Sequence, residues 1–490
     1  MTKNILRTEN APAPKQKTIS KILLLNPPFD LEKRYGKGIS KIGVFLQPLG
    51  LCYIAANIEK HKYDVKILDA EAMELDKVGT INEIKKINPD LIGIYCNSSN
   101  FSTVLTLSKA IKEKINTKIL IGGPQVTIGK DTPANTPIDY LIYGEAEFSF
   151  VELLDALNKE VNDDELKNIL GIGFKNKDGK MIVNGPRPWI KDLDTLPFPT
   201  RHLLDLSLYN PGPPHYRELP YFNMTASRGC LFTCTFCSSS DIWSRTYRIR
   251  SVQNVIDEIK YLKEKYGAKD IGFWDDILGI NRKWLIEFCD KMIEQNINVN
   301  WSCFLRVDTG TSEIFKKMKQ AGCWCVFFGI ESLDQDVLDA IDKKVKVETI
   351  KNALKWAKES GIEIRANFIV GAPAETPEKF KKSLNEIIKL NVDYVKFNVM
   401  TPYPGTRLYN QIKEGKWGEM TEEMDKLTGY FATFRPFGYK SLEEVRKMKI
   451  YAFRKFYFRP KFILNRLKTI RSWTDFERNF RGFKAILGIN

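Results

Sequence analysis

The sequence predicts an α/β protein in two parallel-sheet units, a doubly wound domain followed by a partial (β/α)6 barrel, with a helical C-terminal region. Three observations predict it. From residue 20 onward, short β-branched or Leu-rich runs alternate with segments of helical apolar spacing, the pattern of a parallel sheet covered on both faces. A Pro-rich connector (Pro197, Pro199, Pro211, Pro213, Pro214) divides that alternation in two. Beyond it the alternation holds six βα units, short of a complete eight-fold barrel.

Taken in order, residues 1–19 are polar with Ala-Pro-Ala-Pro inside, and read as a flexible tail. The first unit, 20–165, places strands at 22–25, 65–68, 91–95, 119–121 and 140–143, with helical spacing at 51–58 and 104–115. Ligands of such sheets bind outside the carboxyl ends of the strands. Those ends are Asn26-Pro27-Pro28, Asp69, Asn97-Ser98-Ser99, Gly122-Gly123-Pro124 and Tyr143-Gly144-Glu145. Residues 166–215 form the connector. The barrel, 216–415, places strands at 222–225, 271–273, 298–304, 326–330, 364–370 and 395–399. Its helices carry end signals: Ser251 opens an apolar-periodic run that stops at Gly267, and Thr376-Pro377-Glu378 combines an N-cap, a first-turn proline and a first-turn acid. Residues 416–490 read as helical, basic and aromatic, with no strand pattern.

Composition excludes several classes. With 490 residues, 43% hydrophobic and 28% charged, the chain has the make-up of globular domains, not of a disordered or fibrous protein. No apolar run approaches the ~18 residues of a membrane span, and the N-terminus lacks a signal core. Nine cysteines are too few for a disulfide framework, and three of them fall within eight positions. A reducing cytoplasm is the expected location. The net charge of +15 is concentrated: from Arg446 to the end stand thirteen Lys or Arg against two acids. That is not the basic skin of a nucleic-acid coat, and nucleic acid is not favoured as a partner.

The densest chemical signal is Cys230-Leu231-Phe232-Thr233-Cys234-Thr235-Phe236-Cys237, a C-x3-C-x2-C spacing just after the first barrel strand. Structural zinc wants four closed ligands, yet no fourth Cys or His lies nearby; the only histidines are His61, His202 and His215. Three thiolates on a 4Fe–4S cluster leave one iron open.

This motif, placed after the first strand of a six-unit barrel, resembles that of the radical S-adenosylmethionine (SAM) enzymes. The resemblance implies that Cys230, Cys234 and Cys237 hold the cluster, that the open iron chelates SAM, and that reductive cleavage yields a 5′-deoxyadenosyl radical. It also implies SAM contacts at later strand ends: Asp275 and Asp276, Glu331 and Ser332, Glu375 in Gly371-Ala372-Pro373-Ala374-Glu375, and more weakly Arg306 with Asp308.

Residues 20–165 resemble the Rossmann-like cobalamin-binding domain that precedes the barrel in one large subfamily. The matching stretches are 48–56, Val65-Lys66-Ile67-Leu68-Asp69, Ser98-Ser99, Gly122-Gly123-Pro124-Gln125 and Tyr143-Gly144-Glu145. The implied cobalamin contacts are Ser98, Ser99, Gly122, Gly123, Gln125, Gly144 and Glu145. Glycine there lets backbone approach a flat macrocycle, and small serines leave room for the nucleotide tail. The family's D-x-H-x-x-G loop after the first strand has no histidine here, and Gln125 stands where many relatives carry one. The implied lower cobalt ligand is water, nothing, or a weak side-chain contact. A domain that has lost its cofactor and only braces the barrel is the alternative.

Other residues carry weaker signals. Cys289 and Cys303 read as core. Cys323-Trp324-Cys325 on a strand would put both sulfurs on one face, read as core or as barrel interior. The C-terminal stretch interleaves its bases with ten aromatics. It reads as a packed helical cap, a membrane-surface contact or a nucleic-acid platform, the membrane being the preferred functional reading. Together the resemblances imply a cobalamin-dependent radical SAM enzyme, a methyltransferase that methylates an unactivated carbon by way of methylcobalamin. Its partners would be a small-molecule substrate, lipid-soluble compounds being among the expected kinds, and an electron donor such as flavodoxin or ferredoxin. The alternatives are a cyclase or oxidoreductase of the same architecture, and a non-catalytic scaffold on membrane or RNA.

Overall fold

Among the described residues the first sheet has seven strands, five of them parallel and two adding an antiparallel edge. The computed structural model describes residues 18–29, 45–129, 136–209, 211–212, 215–421, 423, 426–468, 470, 476–477 and 479–481. Strands β1 (Lys21–Asn26), β2 (Asp64–Asp69), β3 (Leu91–Tyr95), β4 (Lys118–Gly122) and β5 (Tyr140–Ile142) pair in parallel. Their apolar runs are buried on both faces, which separates the core into two clusters, one on each side of the sheet. The order 2-1-3-4-5 reverses direction between β1 and β3, and a doubly wound sheet opens its ligand crevice at that switch point. Most of the predicted tail, and residues 30–44 of the loop after β1, lie outside the described residues.

The sheet continues past residue 165. Strands β6 (Ile172–Lys175) and β7 (Met181–Val183) add an antiparallel edge, so the first part of the expected connector belongs to the sheet. The turn Asn176-Lys177-Asp178-Gly179, with Gly179 at φ +80, allows that hairpin.

The second sheet has the order β15-β14-β13-β12-β11-β8, all parallel, so the six predicted barrel strands are present. They are β8 (Tyr221–Met224), β11 (Asp270–Phe273), β12 (Asn300–Leu305), β13 (Cys323–Glu331), β14 (Glu363–Val370) and β15 (Tyr394–Val399). Alternate residues face an outer shell of helices, where the largest core cluster lies. The predicted caps form: Ser251 and Thr376 accept the N3 amides of the helices Val252–Tyr266 and Pro377–Lys389, and Gly267 closes the first of them at φ +67.

Two short ribbons were not foreseen. Strands β9 (Ser227–Gly229) and β10 (Tyr247–Ile249) pair antiparallel on either side of the cysteine loop. Strands β16 (Gly418–Met420) and β17 (Phe434–Pro436) interrupt the region expected to be wholly helical. Three-residue strands leave too short a period to read. The helix Leu442–Tyr457 then packs on β14 and β15, and its Phe453 and Phe456 meet Phe397, so much of the aromatic character of the tail is core.

The Cys323/Cys325 expectation is corrected by a β-bulge, which shifts the β12–β13 register so that Trp301 pairs with Cys323 and Ser302 with Cys325. The extra residue breaks strict alternation. Cys323 joins the helix-side core, whereas Cys325 turns into the barrel with Trp324 and Phe327.

Candidate active site

The cysteine loop runs between β9 and β10 at the carboxyl ends of the barrel strands, and side chains anchor it on several sides. Beneath its start, Asp275, 4% exposed, accepts hydrogen bonds from the Ala226 amide (3.0 Å), the Ser227 hydroxyl (2.5 Å) and the Ser227 amide. Burial pushes the Asp275 carboxyl up to about 6, against the pull of these donors. Beside the loop, the buried Arg306 guanidinium stacks 3.8 Å from the Phe232 ring centroid, and its Nη1 lies 3.8 Å from Cys234 Sγ. The Thr233 hydroxyl donates to Asp342 (2.9 Å), which also takes Arg407 (2.5 Å). The Thr235 amide reaches the Ile341 carbonyl, and the Leu408 amide the Thr235 carbonyl. Beyond Cys237, the Ser239 hydroxyl donates to Asp276 (2.7 Å).

The remaining predicted SAM contacts gather at the ends of β13 and β14. Glu331 lies in the left-handed region (φ +66), where β13 shifts register against β14, and pairs with the buried Lys343 at 2.9 Å. Strain of this kind persists where the surroundings over-determine it, and functional turns are the usual place. Ser332 is buried beside Glu331, and its hydroxyl accepts the Asp334 amide. Glu375 is committed elsewhere: it is 1% exposed, with the Gly371 amide (2.7 Å) and the Tyr439 hydroxyl (2.6 Å) on the same oxygen. Burial pushes its carboxyl up to about 8, and its two hydrogen bonds tie it to the turn after β14. Arg306 likewise spends donors on Asp308 and the Lys343 carbonyl.

Below the mouth, the lumen is lined by aromatic rings. His215 stacks on Phe327 (5.4 Å between centroids) and touches Trp274 (5.2 Å); Phe304 completes the set against both Trp274 and Phe327. Burial, then the charges of Arg365 and Lys396, drive the His215 pKa down to about 3, so the imidazole is neutral near pH 7. Asp270 holds the chain that delivers His215, accepting the amides of Arg217 and Glu218 and the Trp324 indole.

In the first domain the predicted cobalamin residues separate into two groups. Ser98, Ser99, Gly122, Gly123 and Gln125 cluster at the ends of β3 and β4, half-buried, with the Ser98 hydroxyl donating to Gln125 Oε1 (2.8 Å). Gly123 is at φ +122, and a Cβ there would come within 2.6 Å of the Cys96 carbonyl oxygen, so the turn requires glycine. The helix Pro124–Gly129 after this turn touches the helix Ser239–Ile242 after Cys237, and Ile128 packs on Gly405 beyond β15. The face with the predicted cobalamin contacts and the cysteine loop therefore adjoin. Gly144 sits beside Trp189, and Glu145 points into the domain interface, where it accepts from Arg228 and Arg248 (2.7 Å each) and the Ile190 amide.

Lys343, Arg407, Asp342, Arg228 and Arg248 were not singled out from the sequence. The run Asp342-Lys343-Lys344 reads as a solvated surface. Arg228, two residues before Cys230, was the one traceable signal.

A family model for the B12 binding domain matches residues 37–154, and one for the Radical SAM superfamily matches residues 224–387. The chain belongs to the radical SAM enzymes that carry an N-terminal cobalamin-binding domain. An uncharacterized methyltransferase of Pyrococcus horikoshii is 34% identical over 458 residues, covering 91% of this chain and 94% of that protein. An anaerobic magnesium-protoporphyrin IX monomethyl ester cyclase of Rubrivivax gelatinosus is 29% identical over 409 residues, covering 80% and 70%. Among solved structures, the radical SAM methyltransferase TsrM of Kitasatospora setae, with cobalamin and a 4Fe–4S cluster bound, has a TM-score of 0.69 at 14% identity, covering 96% of this chain and 99% of that one. The cobalamin-dependent radical enzyme OxsB, with aqua-cobalamin and SAM bound, has a TM-score of 0.70 at 15% identity, covering 96% and 72%. At those identities the likeness establishes the shared fold.

Membership brings a 4Fe–4S cluster, SAM and cobalamin as the cofactor set. The donors present fit the cluster. All nine cysteines are free, and Cys230, Cys234 and Cys237 lie within electrostatic reach of one another. No group of three or more His, Cys, Asp or Glu among the described residues is arranged around a single ion. A cubane places its thiolates on different irons, so convergence on one point is not required. Burial raises the Cys230 thiol and pushes Cys237 up to about 12, so cluster assembly must displace protons. The mouth also offers both signs of charge, Asp276 and Glu331 against Arg306 and Lys343, which suits the zwitterionic end of SAM.

Proposed function

We propose that this chain is a cobalamin-dependent radical SAM methyltransferase acting on an unactivated carbon of a small molecule. The observation that supports it best is the abutment of the cysteine loop and the Ser98–Gln125 face through the helices Ser239–Ile242 and Pro124–Gly129. The relative of Pyrococcus horikoshii, similar over nearly its whole length, also carries the name methyltransferase. When bound, the cluster with SAM supplies a carbon-centred radical and the corrinoid supplies a methyl group. Cys230, Cys234 and Cys237 would hold the cluster; Asp276, Glu331, Ser332 and Lys343 would hold SAM; Ser98, Ser99, Gly122, Gly123 and Gln125 would hold cobalamin. Arg306 and Asp275 fix the loop that presents the thiols. The rings of Trp274, Phe304, Phe327 and His215 form an apolar wall that keeps water from a reactive substrate carbon.

The test is anaerobic reconstitution with iron, sulfide, cobalamin, a reductant and methyl-labelled SAM. Release of 5′-deoxyadenosine with label leaving SAM is expected. Release of 5′-deoxyadenosine with all label retained would favour a cyclase or oxidoreductase, which the 29% identity to the Rubrivivax cyclase keeps as the second reading. No 5′-deoxyadenosine at all would overturn both.

Two finer features belong to the same reading. A donor such as flavodoxin or ferredoxin would supply the reducing electron. The C-terminal region contacts an anionic membrane surface peripherally: Ile463, Leu464 and Leu467 are exposed on the helix Pro460–Lys468, and the preceding helix carries Arg446, Lys447, Arg454 and Lys455. Among the described residues no helix is long and apolar enough to cross a membrane. A cytoplasmic enzyme docking at the membrane would co-sediment with vesicles containing phosphatidylserine and not with neutral ones.

A further inference from the structure

The β9–β10 ribbon presents a problem that the barrel alone does not solve. Arg228 and Arg248 are directly opposed across the two strands, and like charges so placed repel. A two-stranded ribbon is marginal by itself, and this one has only three residues in each strand. Its loop is the cysteine loop, since Cys230 follows β9 at once. The counter-charges come from the other domain. Arg228 reaches Glu145 (2.7 Å) and Glu147 (2.6 Å), and Arg248 reaches the second oxygen of Glu145 (2.7 Å). Both carboxylates are nearly inaccessible, 3% and 5% exposed, and the arginines 14% and 11%. Arg248 Nη1 also donates to the Ile190 carbonyl (2.8 Å). Its guanidinium lies over the Trp189 and Trp243 rings, and Trp243 belongs to the cysteine loop itself. The Arg228 guanidinium lies over Tyr53 of the first domain.

We propose that Arg228 and Arg248 are positioning residues through which Glu145 and Glu147 of the N-terminal domain hold the cysteine loop in the geometry that accepts a cluster. The first domain then contributes no cluster ligand yet governs cluster assembly. Glu145 serves this clamp and is not a cobalamin contact. The physical reason is that a guanidinium buried without its carboxylate is strongly unfavourable. Losing the acids would force the ribbon open to solvate the arginines, and the loop would lose its register. Lys is not equivalent to Arg228, because an ammonium lacks the planar fork that sends Nη1 to Glu145 and Nη2 to Glu147.

The inference rests on reading Cys230, Cys234 and Cys237 as the cluster ligands. Its test uses the full chain reconstituted anaerobically, with iron per chain and bound corrinoid per chain measured separately. Loss of an outer-shell partner commonly costs 10–100-fold in metal affinity. At an iron concentration that half-loads the wild type, Glu145→Gln should therefore fall to roughly a tenth of the wild-type iron content and keep its corrinoid. Glu145→Gln that loses corrinoid but loads iron normally would overturn the proposal, as would a variant that keeps both. If both are lost, Arg248→Gln decides, because it leaves the first domain's residues intact. Low iron with normal corrinoid supports the clamp, and loss of both again overturns it. A wild-type chain that takes up no iron would instead refute the cluster reading on which the inference rests.

Discussion

Glu258→Gln should unfold this protein several degrees earlier, and the size of the effect follows from the buried charges around that carboxylate. Glu258 on the helix Val252–Tyr266 is 0% exposed and holds two guanidiniums, Arg201 Nη1 at 2.8 Å and Arg250 Nη1 at 2.5 Å. Burial pushes its carboxyl up, but the two arginines outweigh burial and hold it below the usual carboxylate range. Arg201, also 0% exposed, joins three parts of the chain: it donates to Gln47 of the first domain (3.2 Å) and to the Asn223 carbonyl of β8 (2.8 Å). Arg250 donates to the Thr225 carbonyl (2.9 Å) and to Asn254. Glutamine keeps the volume and one acceptor but removes the charge, leaving two buried guanidiniums without a counter-ion. Breaking such a network by removing one partner costs about 3–5 kcal/mol. Unfolding entropy for a chain of this length is about 1 kcal/mol per kelvin, so Tm should fall by about 3–5 °C. Thermal unfolding followed by circular dichroism measures it, with Glu83→Gln as control. Glu83 pairs with an exposed lysine and should cost under about 1 kcal/mol. The Glu258→Gln shift should persist at high salt, because buried pairs are poorly screened. Equal shifts for the two variants would refute the reasoning.

Three further outcomes are expected. Cys234→Ala should keep the circular dichroism of the wild type but lose the brown cluster absorbance and all SAM cleavage; residual 5′-deoxyadenosine would count against its role as a ligand. Burial lifts the Asp270 carboxyl from 3.8 to about 7, so in that window the folded chain holds a proton that the unfolded chain gives up. Stability should then fall as pH rises from about 4 to about 7, by roughly 4 kcal/mol from this group; urea unfolding at a series of pH values should show a flatter slope for Asp270→Asn, and an unchanged slope would refute the assignment. Gly229→Ala should prevent normal cluster loading. Gly229 sits at φ +96, and a Cβ there would lie 2.1 Å from the Thr246 carbonyl oxygen, so β9 and β10 could not close; wild-type iron content in this variant would contradict the ribbon geometry.

Much of the architecture was legible because it is written in local periodicity. The five parallel strands of the first sheet and the six of the barrel are apolar runs at the spacing a doubly covered sheet demands, and Ser251, Gly267 and Thr376 mark helix ends by the chemistry of capping. The three cysteines were legible for the same reason, since C-x3-C-x2-C lies within one loop. The strands β6, β7, β9, β10, β16 and β17, three or four residues each, were not, being too short to show a period. The bulge at Trp324 was also hidden, because it exists only relative to the register of β12.

What the sequence by itself determined is the order of the strands along the chain, the two-part organisation and the identity of the cysteine loop, all properties of neighbours in sequence. Tertiary structure alone decided which charges meet. Glu145 lies 83 residues from Arg228, and Glu331 lies 12 from Lys343 with the helix Gln335–Ala340 between them. A carboxylate at a strand end looks the same in sequence whether it waits for a ligand or already holds an arginine. The difference is burial and a partner's position in space, and only the folded chain sets both.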